Sequence, residues 1–305
     1  MRDTTFREEH WILQTILWSL FLVFLEPLET LSAEEPDHSA EPIFFAKNNG
    51  PYVGGRGLIT KEGPTGMFLN PTSGTMPSGS LTAQVFATVI KPLPNQDQFG
   101  WYNALAAYGV NDWLEVGALG TLVDRSNSRT NPATGQLQGD NQSVMAGGAY
   151  GRVRVMKDHE AWPELSVGGI LLEGNEILSR RTIFLAASKR FVINEDGFVK
   201  AFRLHLGGRH FWQREGDELS FRTWSYLQQR DGEDTVGYAG GELQFPKHIY
   251  LVSEVQTKET GDRYIPWSAG LQLRHPSGFG LSLAVLQPGF QSSLTAYIGI
   301  GVNFP

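Results

Sequence analysis

Charged side chains recur in this chain inside stretches that otherwise alternate apolar and small residues. In "FVKAFRLHLGGR" (198–209), Arg203, His205 and Arg209 are interleaved with Phe202, Leu204 and Leu206. Residues two apart share a side of an extended strand, so the bases project one way and the hydrophobes the other. "IYLVSEVQ" (249–256) likewise separates Glu254 and Gln256 from Ile249, Leu251 and Val255. "WSAGLQLR" (267–274) separates Ser268, Gly270, Gln272 and Arg274 from Trp267, Ala269, Leu271 and Leu273. Glu115, Arg152, Arg154 and Glu242 hold comparable places in other segments. These nine, Glu115, Arg152, Arg154, Arg203, His205, Arg209, Glu242, Glu254 and Arg274, could pair with one another and fill a narrow interior. They could also form a charged passage, or a surface for an anionic glycan. Buried charges need partners before they can serve a ligand, and their mixed sign argues against a strongly selective pore.

Enzymatic chemistry has thinner support. No HExxH, Gly-x-Ser-x-Gly or Walker pattern occurs in the chain. His205 and His210 are five apart, so a strand sends them to opposite faces and spoils them as paired metal ligands. A hydrolase assembled in space from His205 or His248 with Ser253 or Ser268 is the remaining catalytic route. Asp231, Glu233 and Asp234 in "RDGED" could hold a divalent ion or a cation bridging lipopolysaccharide, with a solvated acidic loop as the plainer alternative. The expectation is a non-enzymatic protein with no catalytic residue, no metal and no cofactor.

The elements that position these residues are strands. Period-two segments fall near 81–91, 99–109, 113–123, 142–156, 164–173, 181–192, 198–211, 235–245, 248–258, 264–274, 279–287 and 293–304. Helical spacing is hard to find, and interior glycines such as those of "MAGGAYG" would weaken a helix. The chain has 35 glycines and 16 prolines without a collagen-like period, and its 41% hydrophobic content suits a folded chain. It has no cysteine, which excludes disulfides, thiolate metal sites and a lipidated amino-terminal cysteine.

At the amino terminus, Arg2 and Arg7 precede the apolar run "WILQTILWSLFLVFL" and a small-residue stop at Ala33, the pattern of an export signal over 1–33. Its removal leaves 23 basic against 27 acidic residues, so no basic balance points to nucleic acid. No later apolar run approaches the length of a spanning helix, whereas barrel strands need only about 9–11 alternating residues.

The same alternation would fit a β-sandwich with one wet face. Three features favour a transmembrane, antiparallel, up-and-down β-barrel over 81–305. Trp101, Tyr102, Trp113, Trp212, Tyr264 and Trp267 gather near strand ends, where interfacial girdles lie. The export signal suits such a barrel, and so does the alternating last segment, which ends at Phe304 before Pro305. Short links ("VND", "INEDG", "FPKH", "RHPSG") largely alternate with longer ones (124–141, 212–234). Both ends then share the short-link rim, which requires an even number of strands. Twelve is expected if 219–228 belongs to an outer loop, and fourteen is the fallback.

Residues 34–80 precede the barrel, and of these Glu41 to Ser80 are too rich in Gly, Pro and Asn for a regular strand array. Within them "GMFLNPTSGTMPSGSL" (66–81) resembles the amino-terminal signature of the YjbH-type exopolysaccharide-associated outer-membrane barrels, through Gly66, Pro71, Thr72, Pro77, Gly79 and Leu81. "VNDWLEVGA" (110–118) resembles a turn and following strand common in outer-membrane barrels. The resemblance implies placement in the outer membrane and a part in polysaccharide export or surface assembly, with no catalytic residue. Lipid, lipopolysaccharide, the barrel-assembly machinery, polysaccharide and periplasmic export proteins are the implied partners, and a general porin is the first rival. Residues 34–80 are either a plug folded into the lumen or a lead-in that sets the register of the first strand.

Overall fold

The computed structural model describes residues 58–60, 64–90, 98–130, 137–159, 162–174, 179–194, 196–214, 232–260, 262–276, 278–287, 289 and 294–304. The proposed export signal, residues 34–57 and the ambiguous segment 219–228 lie outside them. Two short strands, β1 (Leu58–Ile59) and β2 (Thr65–Gly66), pair with each other. Twelve longer strands follow: β3 (Leu81–Ile90), β4 (Gln98–Asn111), β5 (Leu114–Thr130), β6 (Leu137–Met156), β7 (Glu164–Gly174), β8 (Ser179–Val192), β9 (Ala201–Arg214), β10 (Gly232–Gln244), β11 (Ile249–Gln256), β12 (Trp267–Arg274), β13 (Phe279–Gln287) and β14 (Thr295–Phe304).

Each of the twelve pairs antiparallel with its neighbours in sequence, and β14 returns to β3 to seal a closed barrel. The closing register runs from Ala296↔Val89 to Phe304↔Leu81. Closure leaves no edge strand, so the backbone hydrogen bonds of a wall facing hydrocarbon are satisfied within the wall.

The alternation sorts as the sequence predicts. Val85, Ile183, Leu185, Leu206, Leu251, Leu271, Leu283, Ile298 and Ile300 are exposed on the outer surface. Their strand neighbours turn inward. In β14 burial alternates without interruption from Thr295 to Phe304, with Tyr297 and Asn303 inside and Ile298 and Val302 outside. A ten-residue strand tilted by about 40° spans roughly 25 Å, the height of an apolar barrel band. The contiguous apolar exterior is therefore a lipid-facing surface, and it rules out a sandwich with a dry middle.

One correction concerns the link expected at 124–141. β5 and β6 continue through most of it as a paired ladder that reaches Thr130↔Leu137. β5, with 17 residues, is far longer than a bilayer crossing requires. In sequence its distal stretch runs Asp124, Arg125, Ser126 and Asn127, polar at successive positions. Such a run carries no apolar alternation for sequence reading to detect.

Candidate functional site

The lumen is filled from below by the chain's own leader. Gly79 takes a positive φ of 79° at the rim, donates its N–H to the Gly109 carbonyl (2.7 Å) and turns the chain into β3. Upstream of that turn, Met67, Phe68, Asn70, Thr72, Ser73, Thr75 and Met76 are buried. Met67, Phe68 and Met76 belong to one hydrophobic cluster with wall residues Phe86, Leu105, Leu119, Tyr150, Phe184, Tyr238, Tyr250 and Tyr297. The ring of Phe68 meets Tyr297 edge-on at 5.5 Å. The described residues 64–80 thus lie inside the barrel in the manner of a plug, and their apolar side chains join one hydrophobic cluster with the wall.

Irregular backbone inside a barrel must find partners for its amides. Two wall carboxylates take plug amides, and a third takes a plug hydroxyl. Glu254 accepts the Phe68, Leu69 and Asn70 backbone N–H groups at 3.0, 2.7 and 3.0 Å and the Asn70 side-chain amide at 2.9 Å. Glu115 accepts the Met76 N–H at 2.8 Å, and Glu164 accepts the Ser73 hydroxyl at 3.2 Å. Ser188 Oγ accepts the Ser73 N–H at 3.1 Å. In return Arg152 donates to the Thr72 carbonyl at 2.8 Å and Gln272 to the Met67 carbonyl at 3.2 Å. Shape matches as well. A Cβ on Gly240 would overlap the Met67 sulfur, and one on Gly109 would overlap the Pro77 carbonyl.

All nine charged residues expected inside the barrel are buried there. Arg152 pairs with Glu115, its register partner on β5. Arg154 and Arg203 both reach Glu164 at 3.1 Å, and Arg274 holds Glu242 through two bonds at 3.0 and 2.9 Å. Arg209 donates to Gln256 and Glu259 at 3.3 and 2.9 Å. Arg274 also stacks over Tyr250, 4.1 Å from the ring centroid. The acids and bases thus pair along adjacent and next-adjacent strands, with Glu164 serving two arginines. Glu254 is the exception: among the described residues no cationic side chain pairs with it, and Ser268 (2.6 Å) joins the plug in donating to it.

The catalytic combinations weighed on sequence do not form. Ser253 lies on the exposed outer face, Ser268 is committed to Glu254, and His248 sits in the turn 246–248. His205 instead shares a 2.7 Å hydrogen bond with Ser188, and its other ring nitrogen lies 3.6 Å from Glu242. Ser188 is occupied by the plug's Ser73 amide and Glu242 by Arg274, so the three act as wall contacts in this arrangement. His205 and His210 diverge as predicted, His210 bonding Thr235 at 2.8 Å outside the lumen. Asp234 accepts the Thr235 and Thr260 amides at 2.7 and 2.5 Å, Glu233 is exposed at the start of β10, and Asp231 lies outside the described residues.

The signature residues are all placed. Gly66 bridges to Pro71 where any side chain would overlap the Asn70 carbonyl. Thr72 offers its carbonyl to Arg152, and Pro77 offers its own to the Ser80 N–H at 3.1 Å. Leu81 opens β3 on the outer face.

Sequence reading missed Glu164, Ser188 and the anchoring role of Gln272. Glu164 and Ser166 share the inward side of β7, a legible period-two signal. Ser188 is one small residue in an inward row with Ala186 and Phe184, and nothing in its type marks it.

Comparison with solved structures agrees with this architecture. An outer-membrane channel of the COG4313 type from Pseudomonas putida F1 superposes with a TM-score of 0.50 at 13% identity, covering 77% of this chain and 100% of that one. The KdgM porin (TM-score 0.49, 11% identity, 73% and 99% covered) and the translocator domain of the autotransporter NalP from Neisseria meningitidis (0.41, 12%, 74% and 88%) are also similar. No protein-family model matches the chain, and no curated protein matches it either. The protein therefore has the fold of the outer-membrane β-barrels, here with twelve strands and an internal plug.

Proposed function

We propose that this protein is a non-enzymatic outer-membrane barrel for envelope export or assembly, held closed by residues 64–80 and opened when they move. Exopolysaccharide secretion is its specific role in this reading, as the signature at 66–81 suggests. The observation that supports it is the seating of the plug. Its amides, carbonyls and side chains are matched to named wall residues across the lumen, so passage past that level requires displacement. Planar-bilayer recording of the full-length protein tests it. The expected record is a closed baseline with rare openings, and a steady pore for small ions would favour a general porin instead. Loss of the protein from its host is expected to lower surface polysaccharide, and unchanged polysaccharide would remove the export role.

A further inference from the structure

We infer that Glu254 is the selectivity residue of the opened lumen, favouring cations and hydrogen-bond-donating solutes over anions. This inference rests on the lumen being a path that the plug closes.

The lumen charges divide into two kinds. Glu115, Glu164 and Glu242 each pair with arginine within the wall, and those pairs remain when the plug is elsewhere. Glu254 differs. Its plug donors are three consecutive backbone amides and the Asn70 side chain, and among the described residues its wall contribution is the Ser268 hydroxyl. A carboxylate presents about four acceptor positions, and the plug supplies four of the five donors that Glu254 accepts. Withdrawal of the plug strips these donors together and leaves the Glu254 carboxylate facing the lumen.

Position reinforces chemistry. Glu254 lies on β11 opposite Ser268 of β12 and Gly240 of β10. Gly240, its partner on β10, places no side chain beside it, and Gly270 lies one inward position away opposite Val252. The next inward residue above it, Gln256, is a neutral amide that already contacts Asn70 at 3.2 Å. A passing solute that supplies N–H donors, or a cation, replaces what the plug supplied, whereas an anion meets repulsion in a low-dielectric bore. The plug's 68–70 backbone is thus an internal stand-in for the solute.

The test opens the plug from two sites, one beside Glu254 and one remote from it, and the remote opener carries the comparison free of any new side chain at the carboxylate. Gly240→Leu collides with Met67, and Gly109→Val collides with Pro77 at the other end of the plug. Each full-length variant, checked for folding by its heat-modifiable migration, is recorded in a planar bilayer under a KCl gradient. Each is expected to conduct with a reversal potential on the potassium side. Adding Glu254→Gln to either is expected to lower the K⁺/Cl⁻ permeability ratio by about threefold to tenfold. Conduction with the same ratio in the single and double variants overturns the assignment to Glu254 while leaving the channel reading intact. Both openers folded yet closed would overturn the channel reading, and this inference with it.

Discussion

Arg152 and Glu115 show what a single lumen residue is worth. Both are fully buried, they pair with each other, and each also holds the plug, Arg152 at the Thr72 carbonyl and Glu115 at the Met76 amide. Removing one member of such a pair strands the other charge, at a typical cost of about 3–5 kcal/mol. Arg152→Ala should therefore lower unfolding free energy in lipid vesicles by that amount, read by urea titration. Glu115→Gln, which keeps an acceptor for Met76, should cost less. Outside the membrane wall, Asp262 sets a pH response. Burial in the β11–β12 link, reinforced by the carboxylates of Glu259 and Asp234, raises it to about 6. A raised acid favours its protonated form in the folded loop. That stabilisation is complete below the unfolded value of about 3.9 and is lost as pH rises through about 6. Because the chain has no cysteine, a nitroxide on Thr260→Cys can report it. The loop should be more ordered at acid than at neutral pH, and Asp262→Asn should abolish the difference.

Strands were the most legible elements, because each buries one face in the lumen and gives the other to lipid. All twelve appear, with ends shifted by a few residues where the sequence turns polar at successive positions, as at Asp124–Thr130. Outward placement has a measurable cost: Ile298→Arg, in the middle of β14, should destabilise the barrel by about 2–4 kcal/mol in vesicles. Asn303→Ser, on the inward face of the same strand, should cost much less. The plug was legible as irregular backbone but not as an occupant. Nothing in "GMFLNPTSGTMPSG" says that its amides meet Glu254, because that partner lies some 185 residues away. Inward charges could likewise be named from period two, while their pairing across an intervening strand, as in Arg274 with Glu242, depends on barrel curvature that a linear pattern does not carry.

At the scale of the whole molecule, a twelve-strand bore needs filling, and a contiguous wall and an internal leader answer that need together. The hydrophobic cluster lies inside the cylinder, built from both wall and plug. Unseating the plug should therefore both open the bore and loosen the barrel. Plug-opening variants are expected to melt below the wild type when followed by circular dichroism in detergent. The seam adds a topological consequence. Leu81 and Phe304 face each other at one rim, the rim from which the plug also enters. In the proposed outer-membrane setting, a cysteine appended after Pro305 should ignore a membrane-impermeant maleimide added to intact cells. Thr260→Cys, at the opposite mouth, should react at once. The first and last strands of the barrel thus meet at the rim where residues 64–80 enter, so in that setting a single face of the membrane governs both the seam and access to the bore.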